Sequence, residues 1–241
     1  MRKIITALIF PWFFPLSFML CAPIAIIGAS ISGNRTFAHK VARIWSSMVL
    51  IACGIKVKVK CQDTSFIKEV PVIFACNHAS QMDIPILYKA LPVEFRFLVK
   101  KELFKVPLLG YAMKKAGYIP IDRKNSRAAI KSMKKAAERL KTGASIVIFP
   151  EGTRSVDGRL QPFKEGGFML AVKSERPVVP IAIKGSHKIL KKGSFIAHPG
   201  VVEVEIGPVI KVTKDEKKLS RSELSLLAYE KIKKMLESNQ G

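Results

Sequence analysis

Residues 70–91 read VPVIFACNHASQMDIPILYKAL, and the fold turns on them. The first seven are apolar without a break, the composition of a strand covered on both faces. From Asp83 to Leu91 the chain reads as a helix, with Pro85 in the first turn, where a missing N–H is tolerated. Between strand and helix lies a polar segment, Asn77–Asp83, that holds one of the chain's four histidines. The same order of strand, loop and helix recurs downstream. Glu94–Lys101 reads as a strand, Glu102–Gly117 as a short broken helix and Tyr118–Arg123 as a strand. Asn125–Gly143 is a helix stopped by its glycine, and Ala144–Ser155 is a buried strand running into a loop. A helix over 165–175, a strand over 177–185, an alternating strand over 201–210 and a last amphipathic helix over 220–238 follow. Upstream, Ile55–Cys61 alternates in the manner of a half-exposed strand. This alternation predicts an α/β fold with a mixed, largely parallel sheet flanked by helices.

The chain has 241 residues, 49% of them hydrophobic, enough for one globular domain with a sizeable core and an appendage. Lysine and arginine number 41 against 18 acidic residues, a net charge of +23 that calls for an anionic partner. Aromatic residues make up 8% and many lie near the N-terminus, and no zinc-finger spacing, RNP-like stretch or recognition helix is present. The charge therefore points to a membrane surface or a phosphate-bearing ligand rather than nucleic acid. Cys21, Cys53, Cys61 and Cys76 lack a C-x-x-C spacing and sit among apolar neighbours, as reduced cysteines do, which fits the cytoplasmic face of a cell membrane.

No charged residue occurs from Ile4 to Asn34, while Arg2 and Lys3 precede this run and Arg35, Lys40 and Arg43 follow it. Such a length suffices to cross a bilayer; a secretory signal, whose apolar region is usually shorter, is the lesser alternative left open by the small residues of CAPIA and GAS. Pro11, Pro15 and Pro23 are expected to interrupt or kink it. A second segment, 35–54, places Phe37, Val41, Ile44, Trp45, Met48 and Val49 on one helical face. Residues 1–54 thus read as a two-helix membrane-anchoring segment ahead of an α/β domain over 55–241, either dipping into one leaflet or spanning once.

In α/β sheets ligands lie where strands end in loops. Asn77–Asp83 and Phe149–Ser155 (FPEGTRS) both follow buried strands. Histidine is the side chain suited to deprotonate a hydroxyl near neutral pH, and a carboxylate on its far ring nitrogen fixes the tautomer. His78 and Asp83 supply that pair on one condition. Five residues along a continuous helix turn by about 140°, so His78 must sit in the turn and Asp83 at the helix start. The plainer alternative makes Asp83 a cap and His78 a hydrogen-bonded loop residue. In the second loop, Gly152 permits close approach, Thr153 donates, and the Arg154 guanidinium binds oxygen pairs as phosphate requires. Lys100, Lys101 and Arg123 are further cations at strand ends. Scattered histidines leave no metal-ligand spacing.

These residues resemble the glycerolipid acyltransferases. NHASQMD is similar to their N-H-x-x-x-x-D motif and FPEGTRS to F-P-E-G-T-R-S. The segment 98–123 resembles their K-x-E-L-x-x-x-P-x-x-G-x(n)-I-x-R block, and VVPIAI their fourth block. All four stand in the family order over roughly 57–207. The subgroup it resembles most makes phosphatidic acid from 1-acyl-glycerol 3-phosphate (lysophosphatidic acid). The resemblance implies that His78 takes the proton of the 2-hydroxyl as it attacks an acyl thioester, with Asp83 orienting it. Arg154, Lys100 and Arg123 would hold the acceptor's phosphate, and Glu151, Gly152 and Thr153 would shape that loop. It implies acyl-CoA or acyl-carrier protein as co-substrate, no cofactor, and membrane phospholipids as surroundings.

Other readings remain at this level: another lysophospholipid or glycerol 3-phosphate as acceptor, a non-catalytic basic membrane-binding protein, or a tethered nucleic-acid binder. Cys76 and Ser80 are conceivable nucleophiles, but Cys76 ends an apolar run and no G-x-S-x-G elbow surrounds Ser80. His39 reads as interfacial, His187 and His198 as loop residues.

Overall fold

The computed structural model describes residues 2–61, 65–122, 125–141, 143–214 and 217–238. Its N-terminal run is one helix, α1 (Arg2–Ile31), that continues through Pro11, Pro15 and Pro23. The interruption expected at the prolines does not occur. Each removes a single donor, and packing against a second helix along the length of α1 holds the backbone helical. Leu8–Ile31 has 24 residues and is the one helix among the described residues long and apolar enough to cross a membrane. At 1.5 Å per residue it measures about 36 Å, against about 30 Å for a hydrocarbon core.

After a turn the chain returns as α2 (Arg35–Ala52), started by Asn34, whose side chain accepts the Thr36 N–H at 2.8 Å. Ala25 and Ala29 of α1 meet Ala38 of α2, and the Phe37 ring fills the space where a Gly28 Cβ would lie. Trp45 donates to Ser17 Oγ at 3.1 Å and takes Phe14 and Phe18 on its edges. The helices therefore form a hairpin. α2 has two apolar faces where one stripe was expected: Phe37, Ile44 and Met48 are exposed, whereas Val49 is buried with Ala38, His39, Ser46 and Leu50 against the body. His39 is thus not interfacial. Its ring lies between Tyr88 and Phe95, and burial, with the Arg96 charge next, lowers its pKa to about 4.

The body is a seven-stranded sheet of order β1-β7-β6-β2-β5-β3-β4, built from β1 (Ile55–Cys61), β2 (Ile73–Cys76), β3 (Phe95–Lys100), β4 (Ile119–Ile121), β5 (Ser145–Ile148), β6 (Val178–Lys184) and β7 (Gly200–Ile206). Five strands, β6 to β4 in that order, run parallel, with Ile73 of β2 opposite both Ile146 and Val178. β7 runs antiparallel to β6, and β1 pairs parallel to β7. The sheet is mixed and largely parallel. Helices α3 (Ser65–Glu69), α4 (Asp83–Ala90), α5 (Leu109–Lys115), α6 (Ser126–Lys141), α7 (Met169–Ser174), α8 (Ser186–Ile189) and α9 (Arg221–Glu237) surround it.

Strand alternation divides the core. Phe74 and Cys76 face the layer of α1, α2 and α4, with Phe10, Val49, Leu50, Ile86 and Leu87. Ile73 and Ala75 face α6, α7 and α9, with Ala136, Leu140, Leu170 and Leu224. The hairpin therefore covers one sheet face, and the opposite face belongs to the C-terminal half of the chain.

Candidate active site

Because β2 and β5 are parallel neighbours, the loops that leave their C-terminal ends lie side by side. Asp83 is the first residue of α4, and His78 stands in the turn before it, so the two side chains can meet. His78 Nδ1 lies 2.7 Å from Asp83 Oδ2. The same oxygen accepts the N–H groups of Ala79 and Ser80, each at 2.9 Å, so the fully buried carboxylate is held by the turn it orients. The His78 side chain is 17% exposed, and its ring stacks on Phe149 at 4.0 Å and 18°. Its far nitrogen, Nε2, is the one left for a substrate proton.

Glu151 ties the loops together. Its Oε1 accepts the His78 N–H at 2.6 Å and its Oε2 the Gln161 N–H at 3.0 Å, while the Ser155 N–H donates to the His78 carbonyl at 2.8 Å. Burial pushes the Glu151 carboxyl up to about 7, and the two N–H bonds act in the opposite direction. Glu151 thus positions the backbone of His78 and faces inward. Gly152 has φ +76°, a conformation open to glycine, and the Lys164 side chain lies where a Cβ would point. Thr153 is exposed and Arg154 half-buried beside it. Lys192 crosses from the segment before β7 to donate to the Arg154 carbonyl at 2.9 Å and to Thr153 Oγ1 at 3.3 Å.

Lys100 is exposed at the end of β3, one strand beyond β5 and at the same end of the sheet. Lys101 is engaged by an ion pair with Asp122. Arg123 lies outside the described residues. Cys76 is buried, and burial raises its thiol well above the ordinary range, which suits a core residue and not a nucleophile. Ser80 Oγ donates to the Leu190 carbonyl at 2.8 Å and accepts the Met82 N–H, so it braces the turn. Among the described residues no group of three His, Cys, Asp or Glu could hold a metal. A cleft lined by Arg35, Thr36, Glu94 and Arg96 lies at the opposite end of the strands, away from His78.

Several residues that build the site were not legible as such in the sequence. Asn77 exchanges two hydrogen bonds with Ile183 of β6, at 2.7 and 3.0 Å, and so fixes where β2 ends. Phe149, Gln161 and Lys192 act through a ring face, a backbone N–H and a loop amine. None carries a spacing signal, although Asn77 and Phe149 sit inside the two quoted motifs.

A model of the acyltransferase family matches residues 58–184. A chloroplastic 1-acyl-sn-glycerol-3-phosphate acyltransferase of Brassica napus is 38% identical over 161 residues, covering 67% of this chain and 46% of that protein. The alpha form of the same enzyme from Mus musculus is 31% identical over 206 residues, covering 83% of this chain and 72% of that one. The crystal structure of the 1-acyl-sn-glycerophosphate (LPA) acyltransferase PlsC from Thermotoga maritima superimposes with a TM-score of 0.80 at 26% identity, over 99% of this chain and 97% of that chain. The chain thus spans less than half the length of the plant relative and nearly all of the bacterial one. With a family match over more than half its residues, and the paired loops lying inside that match, the chain belongs to the acyltransferase family.

Proposed function

We propose that the protein transfers an acyl group from a thioester to the 2-hydroxyl of 1-acyl-sn-glycerol 3-phosphate, giving phosphatidic acid. The observation that carries this reading is the 2.7 Å contact of His78 with a buried Asp83, in a turn that Glu151 joins to the arginine-bearing loop. The acceptor is chosen on the names of the relatives. His78 Nε2 removes the hydroxyl proton as the oxygen attacks the thioester carbonyl, and Nδ1–H donates to Asp83, which stabilises the imidazolium. The tetrahedral adduct collapses, the C–S bond breaks, and the proton on His78 passes to the leaving thiolate. Arg154, with Lys100 and Arg123, holds the acceptor's phosphate. Glu151, Gly152 and Thr153 keep that loop in shape. Acyl-CoA or acyl-carrier protein is the donor, and no resident cofactor is needed.

The acceptor and the product carry tails that belong in a bilayer, whereas the donor is soluble. The hairpin, with α1 long and apolar enough to cross a membrane, supports work at a membrane interface, on the cytoplasmic face of the cell membrane among its phospholipids.

The test compares acceptors. Purified protein in detergent, supplied with an acyl thioester, is expected to acylate lysophosphatidic acid at least about tenfold faster than lysophosphatidylcholine or glycerol 3-phosphate. A preference for either of the latter would overturn the assigned acceptor.

A further inference from the structure

Between α8 and β7 the chain reads LKKGSFIAHP, Leu190–Pro199. Phe195 is 79% exposed and Ile196 49%, both at the tip of this segment. The exposure does not come from slackness. Gly193, with φ +84°, allows the Ser194 N–H to reach the Lys191 carbonyl at 3.1 Å, and Ser194 Oγ accepts the Ile196 N–H at 3.0 Å. The His198 N–H closes the base on the Ile189 carbonyl at 2.8 Å.

The base is rooted in the hairpin's layer. Ile189, Leu190 and Ala197 are buried in the same apolar cluster as Phe10 of α1 and Val49 and Leu50 of α2. The Gly200 N–H meets the Gly54 carbonyl just past the end of α2, near the exposed Met48 and Ile51. Two further bonds fasten the segment to the site: Ser80 Oγ to the Leu190 carbonyl, and Lys192 Nζ to the Arg154 carbonyl. A tight turn thus presents two adjoining apolar side chains on the hairpin's side of the sheet, at the end where the catalytic loops lie. Lys188 and Lys191 stand exposed beside it.

We propose that Lys191–Ile196 is a second membrane contact. Phe195 and Ile196 enter the headgroup region of the bilayer that takes the hairpin, and Lys188 and Lys191 meet anionic headgroups. The inference rests on the membrane reading of the hairpin. An acidic protein partner would need only the lysines. The apolar pair at the tip, rooted in the layer that carries the hairpin's exposed apolar residues, is what a bilayer uses. Held at two points, the sheet is oriented with the mouth of the site toward lipid, where the acceptor's tail resides.

The test uses the full chain with its two tryptophans, Trp12 and Trp45, replaced by phenylalanine and with Phe195→Trp as the sole indole. It is added to vesicles of phosphatidylglycerol and phosphatidylcholine, with and without bromine near the top of the acyl chains. The expected result is cosedimentation, a blue-shifted emission, at least about twofold quenching by the brominated lipid and protection from iodide. Protein that cosediments while its indole emits as in water, open to iodide, overturns the second contact alone. Protein that stays in solution overturns the hairpin reading and this inference with it. In parallel, the double variant Phe195→Ser, Ile196→Ser is expected to lose about tenfold in rate on acceptor held in vesicles while matching wild type on a short-chain soluble acceptor. Equal rates in vesicles would also overturn the contact.

Discussion

His39 shows what a single buried ring does to the pH dependence of the fold. It is 4% exposed, with its ring enclosed by Tyr88 and Phe95. Its native pKa of about 4 lies below the ordinary 6.5, so the native state resists the proton that the unfolded chain accepts. Stability from this group is complete above pH 6.5 and is lost as pH falls toward 4, by up to about 3 kcal/mol. Across that window wild type is expected to lose stability relative to His39→Phe, read as melting temperature against pH. Parallel curves would contradict the assignment. The neighbours Ala38 and Lys40 gave no sign of this burial, because the inward face of α2 mixes Ala38, His39 and Ser46 with Val49 and Leu50, while Phe37, Ile44 and Met48 stay exposed. At the His78–Asp83 pair the opposite holds. A spacing of five is incompatible with a continuous helix, and that condition located His78 in the turn and Asp83 at the helix start. Glu151 was legible as part of the second loop; its grip on the His78 N–H, across 73 residues of chain, was not.

Among elements, the stretch from β3 to β4 is tightly constrained. A short 3-10 turn, Lys101–Lys105, is followed by Pro107 and by Leu108 at φ +59°, where the Leu109 N–H bonds back to the Pro107 carbonyl at 2.6 Å. This is a γ-turn of the strained hand, a conformation that costs about 1–3 kcal/mol in a non-glycine residue. Two residues on, a Cβ on Gly110 would lie 2.1 Å from the Phe104 carbonyl oxygen, which is backbone and cannot swing aside. Gly110→Ala is expected to cost about 1–3 kcal/mol, a fall of several degrees in melting temperature. An unchanged midpoint would show that the turn relaxes freely. The break in this helix was readable from Pro107, the central strands from their apolar runs, and β1 and β7 from period-two alternation. The reversal of β7 and β1 against the rest was not readable. Their alternating sequences report only that one face is half-exposed, which suits either direction at a sheet's edge.

At the scale of the whole molecule, the sheet separates two tasks. One face carries the hairpin and the apolar stripe of α1, from Leu8 and Trp12 through Leu16, Leu20 and Ile24, all exposed. The other carries α6, whose exposed Arg127, Lys131, Lys134 and Lys135 contribute to the net charge of +23. The C-terminal ends of the parallel strands join the two sides and hold both loops. The sequence carried the class of this arrangement because strand, loop and helix recur in order. The continuity of α1 through three prolines comes instead from its partner helix, a tertiary contact that no local pattern contains. The central claim is that one histidine in this frame performs the transfer. The most direct measurement is phosphatidic acid formation from lysophosphatidic acid and an acyl thioester, by the full chain in vesicles, with His78→Ala beside wild type and both shown to be folded by circular dichroism. Wild type is expected to turn over while His78→Ala falls by about a thousandfold or more. Equal rates in the two proteins would contradict His78 as the base.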